Sequence, residues 1–442
     1  MNILYQFLIF LVVIGIIVLV HELGHYIAAR LMKIRVEVFS FGMGKRLFGK
    51  KIGETDFRVS LIPVGGYVRM AGEEDFDPEH PAPDQFMAKN RAQKIFTLLM
   101  GPFMNLVLAL VLIIGINMGG VEVSSYTLEK PVIGYIEKDS PAAKAGLLPG
   151  DELLAINAKK TPDWKEVELT IGTNPKESLT IDFLRQGAEQ TTTLHVTSSS
   201  RYEIGYAGFY WPWPAVINEI LPNYPAAKAG LRPGDHIVAV NGKPVATYFE
   251  LANIIHMAPG KPLQLTYQRG AQSLSTQITP RNENGIGLIG FNAKIATTKI
   301  RYGFAAAVKN SFQEAARLTL LTFSVFKKMF QRKISVKSFS GPIEIARISQ
   351  QALESGFSNF FMLIAFISLQ LGIVNLFPIP GLDGGHLLIF TVEAIIRRDL
   401  NQKLKNILLY AGFAFLISLM AFVILNDIAK TLPNGWQSIL PF

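Results

Sequence analysis

Four stretches of the chain are almost uninterrupted in apolar residues: 3–20, 95–118, 357–377 and 407–425. Each is close to the roughly 20 helical residues needed to cross a hydrocarbon core about 30 Å thick, which predicts four membrane-spanning helices. Residues 122–284, by contrast, are polar and turn-rich and read as water-soluble. Asn375, Pro378, Pro380 and Gly381 break the third stretch, and Asn406 and Gly412 mark the fourth. Backbone that is not helical at membrane depth is tolerated only where it is buried in protein or lines a wet cavity, so the third stretch points to a built interior.

The polar region contains an internal repeat. Pro141-Ala-Ala-Lys-Ala-Gly-Leu-Leu-Pro-Gly-Asp151 returns 84 residues later as Pro225-Ala-Ala-Lys-Ala-Gly-Leu-Arg-Pro-Gly-Asp235. Each copy reads as a short helix from the proline, a Gly-Leu stop, a Pro-Gly turn and an alternating strand, residues 152–157 and 236–241. A helix at 248–256 and strands at 263–268 and 273–279 complete the second copy. The repeat resembles PDZ domains in the circularly permuted order of bacterial proteases. That resemblance implies a groove able to take a peptide as an added strand; a mere spacer or lid over the membrane part is the plainer reading.

Charge refines the picture. The formal net charge is +9, which suggests nucleic acid, but the cations gather beside the apolar runs. Arg30, Lys33, Arg35, Lys45, Arg46, Lys50 and Lys51 follow the first run, Lys89, Arg91 and Lys94 precede the second, and Arg397, Arg398, Lys403 and Lys405 separate the last two. By the positive-inside tendency these connections are cytoplasmic and the polar middle lies outside, so the expected partners are membrane lipid and no nucleic acid. The chain has no cysteine, which excludes disulfides, thiolate nucleophiles and cysteine metal ligands. The first run has no charged opening and no small-residue cleavage site, so it reads as a retained span.

At the inner end of that run stands His21-Glu22-Leu23-Gly24-His25. On a helix, positions i and i+4 share a face, so both imidazoles can hold one Zn2+ while Glu22 serves as general base. Two imidazoles and a carboxylate at this depth are costly without a task. A structural histidine pair with Glu22 bound to Arg30 is the bland alternative. A metal needs at least one more ligand, and the broken third run offers Asp383 and His386.

Together these pieces resemble the site-2 protease family of intramembrane zinc metalloproteases. Its His-Glu-x-x-His matches His21, Glu22 and His25, its Asn-x-x-Pro-x-Pro run matches Asn375, Pro378 and Pro380, and its Leu-Asp-Gly matches Leu382, Asp383 and Gly384. The resemblance implies that Asp383 is the third ligand of a single Zn2+, that Glu22 is catalytic, and that Asn375 contacts substrate backbone. The order of parts resembles family members that cleave an anti-sigma factor. It implies transmembrane protein substrates, an anti-sigma factor already trimmed by another protease among them, and remnant signal peptides besides. The expected location is the bacterial inner membrane, with the repeats periplasmic and the active site towards the cytoplasm.

A transmembrane substrate must be unwound before attack, because helical carbonyls already have partners. Residues 54–70, with Phe57, Val59 and Leu61 alternating, form a candidate strand for the freed backbone, and the family places a membrane-dipping β element there. Residues 304–330 mix Phe304, Phe312 and Phe326 with Lys309, Glu314 and Arg317, and the parity of the spans favours an interfacial amphipathic helix over a fifth span. Gly101-Pro-Phe-Met-Asn105 lies inside the second run and carries no assigned role.

The expected fold is thus a polytopic α-helical membrane protein of about four transmembrane helices with a membrane-associated β element, plus two extracytoplasmic circularly permuted PDZ domains. The boundaries are 1–120 for the first membrane part, 121–212 and 213–284 for the two PDZ domains, 285–356 for a linker with the interfacial helix, and 357–442 for the second membrane part. The rival functions are a membrane-tethered PDZ scaffold with an inactive zinc motif, and a transporter, for which four spans supply too little repeat.

Overall fold

The computed structural model describes residues 3–73, 76–77, 80–199, 204–331 and 340–432. The chain forms two compact units, one of Met1–Val121, Ile300–Lys328 and Val336–Phe442, the other of Glu122–Lys299 and Met329–Ser335.

The first unit opens with helix α1, Ile3–Leu31, which runs through the apolar stretch and on through the His-Glu motif without a break. Its outer face leaves Ile3, Phe7, Val12 and Leu19 exposed, as a lipid-facing helix requires. Two long strands follow, β1 at Val36–Ile52 and β2 at Thr55–Met70, paired antiparallel with repeated shifts of register. The shifts give part of the sheet neighbours on both sides: Phe57 pairs with Phe39 and Lys50, and Val59 with Phe41 and Phe48. Residues 66–70 pair on one side only among the described residues, with 36–41. Helix α2, Arg91–Gly119, begins four residues before the apolar run because Asn90 and Gln93 form a capping box there. It crosses α1 closely: a Cβ on Gly24 would lie 2.2 Å from the Met100 carbonyl oxygen.

The second unit contains both repeats. In the first, Pro141–Lys144 forms α3, capped by the Ser140 hydroxyl, and Trp164–Gly172 forms α4, capped by Asp163. Pro225–Lys228 forms α5 and Tyr248–His256 forms α6, each 84 residues after its counterpart. After each short helix the chain turns through two glycines with left-handed φ, 75° and 97° at Gly146 and Gly150, 75° and 91° at Gly230 and Gly234. Side chains strain in that region, which explains why the repeated motif keeps glycine at both places. Each repeat has its own four-stranded antiparallel sheet and its own core, around Trp164 in the first and Leu251, Leu265 and Tyr267 in the second. The second core takes in Ile289 and the strand Phe291–Ala293 pairs with Ile217–Ile220, so this domain extends past the expected boundary at 284.

The repeats also share a buried ion pair. Asp151 accepts from Arg185 Nε and Nη2 at 2.8 and 2.7 Å, and Asp235 accepts from the corresponding Arg269 atoms at 2.7 Å each. Burial alone would raise the Asp151 carboxyl, but the Arg185 guanidinium and the Leu148 amide outweigh it and hold the group below the usual carboxylate range. Asp235 is held down in the same way by Arg269 and the Arg232 amide.

Returning to the first unit, Phe304–Phe330 forms helix α7. Asn117 Nδ2, near the end of α2, donates to Ser311 Oγ at 3.0 Å, while Phe326 packs on Phe377 with ring centroids 5.2 Å apart. Helix α7 therefore touches the helical bundle near both of its ends, while Phe304, Phe312, Leu320 and Phe323 stay exposed. Helix α8, Pro342–Glu354, is capped by Asp427, whose carboxylate accepts from the backbone of Gly341, Ile343 and Glu344 at 2.8, 3.1 and 3.1 Å. Helix α9, Phe357–Asn375, packs antiparallel on α2, and its end coincides with the start of the Asn-Leu-Phe-Pro run. Asp383–Ile396 is α10 and Gln402–Thr431 is α11. Helices α1, α2, α9 and α11 are long and apolar enough to cross a membrane, the four expected.

Candidate metal centre

The site grows from one turn of α1. His21 and His25 are 7% exposed each, and their Nε2 atoms lie 3.2 Å apart. Opposite them the chain leaves α9 at Asn375 and turns through Pro378 and Pro380. It re-enters a helix at Asp383, the first residue of α10. That turn is tight because Gly384 and Gly385 let the backbone close over the helix start: a Cβ on Gly384 would lie 2.2 Å from the Phe377 carbonyl oxygen. Asp383 is thereby brought to the two imidazoles, with Oδ2 3.1 Å from His21 Nε2 and Oδ1 3.5 Å from His25 Nε2.

These three residues form the one group of metal-capable side chains whose donor atoms all converge within 4.8 Å among the described residues. His386, the other candidate third ligand, is not in it. The spacings suit a single small cation: tetrahedral zinc with bonds of about 2.0–2.1 Å has donor–donor edges of about 3.3 Å. Asp383 Oδ2, although 3.1 Å from His21 Nε2, is buried without any partner in hydrogen-bond geometry. The three donors converge within one small volume, and the nitrogen–nitrogen–carboxylate set is one that zinc favours.

The wall behind the imidazoles is helix α2. The Thr97 carbonyl accepts from His25 Nδ1 at 2.9 Å, and the Asn105 amide faces His21 Nδ1 at 3.1 Å. Between them, a Cβ on Gly101 would stand 2.2 Å from His25 Nε2 and 2.9 Å from His21 Nε2. Residues 97, 101 and 105 fall at i, i+4 and i+8, one face of a helix. Sequence reasoning passed over this face, and that spacing inside Gly101-Pro-Phe-Met-Asn105 is the signal that could have found it. Ser368 Oγ on α9 donates to the Asn105 carbonyl at 2.8 Å and ties the second wall to the third.

Glu22 lies one step round α1 from His21 and outside the donor triangle. It faces β2, where a Cβ on Gly66 would come 3.2 Å from Glu22 Cγ. Asn375 Nδ2 is 3.4 Å from His21 Nε2. The other residues singled out on β2 stand apart. Phe57 sits in an aromatic cluster with Tyr26 and Phe39, each 5.6 Å away between centroids, Val59 is half-buried, and Leu61 is 58% exposed. With strand neighbours on both sides, Phe57 and Val59 offer no free backbone edge.

The sequence profile of Peptidase family M50 matches residues 9–419. This chain belongs to peptidase family M50. It is similar to a putative zinc metalloprotease of Neisseria meningitidis, 32% identical over 451 residues that cover 97% of this chain and 100% of the relative. The regulator of sigma E protease of Haemophilus influenzae is 31% identical, covering 95% of this chain and 98% of its own. The regulator of sigma-E protease RseP of Escherichia coli is 33% identical, with 95% and 98% covered. Among solved structures, a PDZ domain of an SdrC-like protein from Listeria monocytogenes covers 19% of this chain and 90% of that one. Its identity is 21% and its TM-score 0.17. Family, spans and metal cluster agree: the chain is a zinc-dependent intramembrane protease of the M50 family, acting on membrane-spanning substrates.

Proposed function

We propose that this protease holds one Zn2+ between His21 Nε2, His25 Nε2 and the Asp383 carboxylate, and uses Glu22 as its general base and acid. The observation that carries the reading is the convergence of three buried donors at tetrahedral spacing, with Asp383 Oδ2 left without a hydrogen-bond partner. Zinc, when bound, supplies a Lewis acid that makes a water acidic near neutral pH and polarises the scissile carbonyl. Glu22 takes the proton of the attacking water and delivers it to the departing amine, so that water and an amide become an acid and an amine. Asn375, beside the donor triangle, binds substrate backbone through its amide. The unwound substrate adds as a strand to residues 66–70 of β2, the part of the sheet that is paired on one side only and lies next to Glu22. Phe57, Val59 and Leu61 support that edge from within the sheet, and Leu61 offers it an apolar side chain.

The two repeats act as circularly permuted PDZ domains on the periplasmic side of a bacterial inner membrane, with the metal centre towards the cytoplasm, as the cations after α1 and before α2 suggest. Because two similar proteins are named regulators of sigma E, the physiological substrate is a single-span anti-sigma factor trimmed by a prior protease. Remnant signal peptides form a second class. The test is a proteome of membrane peptides in cells carrying Glu22→Gln. The reading expects uncleaved transmembrane fragments to accumulate and purified variant activity to fall by about 10²- to 10⁴-fold. Cleavage at the wild-type rate would exclude Glu22 from the chemistry.

A further inference from the structure

Two amides face one imidazole. Asn105 Nδ2 lies 3.1 Å from His21 Nδ1, and Asn375 Nδ2 lies 3.4 Å from His21 Nε2. A neutral imidazole has a single lone-pair nitrogen, so it cannot accept from both. One amide must present its oxygen instead. Asn105 is the one that can be reversed with no net loss, because it is fully buried and its Oδ1 has no partner. Turning it over exchanges an orphaned acceptor for an orphaned donor, and the near-identical shape of the two ends leaves the packing unchanged. The demand of the metal then decides: Nε2 faces Asp383 and His25 and must keep its lone pair.

We infer that Asn105 is the positioning residue for His21, its Oδ1 accepting the Nδ1 proton, so that ring orientation and tautomer are set for ligation through Nε2 before any ion arrives. The Thr97 carbonyl does the same for His25, and a neighbour that fixes the second nitrogen is the usual companion of a ligating histidine. Ser368 holds the Asn105 backbone, and Gly101 clears the space between the two partners.

This inference rests on the metal centre proposed above, and its test separates the two. In metal-free wild-type protein labelled with 15N-histidine, the His21 resonances, identified among seven histidines by their loss in His21→Ala, should show the proton on Nδ1. Cobalt titration should show about 10- to 100-fold weaker binding and an altered ligand-field spectrum in Asn105→Leu, with Asn105→Asp, which keeps an acceptor, returning both towards wild type. A proton on Nε2 in the metal-free protein would overturn the inference. So would cobalt affinity in Asn105→Leu within twofold of wild type, or Asn105→Asp binding as poorly as Asn105→Leu. Failure of the wild type to bind cobalt would instead remove the metal centre, while the tautomer still reports on the hydrogen bond.

Discussion

Gly101→Ala puts the packing of α2 behind the histidines to a quantitative test. The added Cβ would stand 2.2 Å from His25 Nε2 and 2.9 Å from His21 Nε2. An ordinary contact between such atoms is about 3.5 Å, so the His25 ring must retreat by roughly 1.3 Å or α2 must move away by as much. A ring end gives way more easily than a helix, and the fold should survive with about 1–3 kcal/mol of overpacking strain. The atom displaced, however, is the proposed ligand itself, and metal sites hold their donor distances to about ±0.2 Å. If the strain is expressed in ligation, zinc affinity falls between about 5-fold and about 150-fold. Gly115→Ala is the control, because a Cβ there meets nothing within 4 Å on the same helix. The assay is competition for zinc against a fluorescent chelator, alongside thermal unfolding of each variant. Zinc affinity in Gly101→Ala within twofold of both wild type and Gly115→Ala would refute the account of α2 as the wall of the site.

Other perturbations address the repeats. Trp164, 2% exposed at the centre of the first repeat's core, should cost about 3–5 kcal/mol when cut to alanine, and hydrogen exchange should rise more in residues 133–209 than in 215–289. Equal loss of protection in both would show that the two cores unfold as one. Asp151→Asn removes a carboxylate whose folded-state pKa lies below its unfolded value of about 3.9. The stability it contributes is therefore fully present above that value and is lost as pH falls through the lower, folded one. The urea midpoint of the first repeat should drop in Asp151→Asn at pH 7, and the gap to wild type should narrow as the pH is taken below about 4. A gap that is constant with pH would assign the effect to packing instead of charge.

The metal-capable pair on α1 was plain from the sequence because both imidazoles fall within about one helical turn of an apolar run. The repeat was plain because its glycines and prolines recur at a fixed offset. What stayed hidden depended on packing between distant segments. The groups that address the imidazoles from α2 are a backbone carbonyl, a glycine and an amide. They lie as much as 84 residues from their partners and carry no signature until α2 is known to lie against α1. Alternation in Phe57, Val59 and Leu61 announces a strand but does not say what flanks it, and two segments of β1 flank Phe57 and Val59. The amphipathic pattern of 304–330 does not show where that helix meets protein, which it does at Asn117, Gln370 and Phe377 while Phe304, Phe312, Leu320 and Phe323 stay exposed. The break in the third apolar run was evident, but where the chain becomes helical again was not. That point brings Asp383, and not His386, into the donor cluster.

The central claim, that His21, His25 and Asp383 hold a single catalytic zinc, is tested most directly by the zinc content of purified protein in three forms, wild type, Asp383→Ala and His386→Ala. The account predicts about one zinc per chain in wild type and in His386→Ala, since His386 lies outside the donor cluster, and loss of the ion in Asp383→Ala. Full zinc retention in Asp383→Ala, or loss of zinc in a folded His386→Ala, would contradict it.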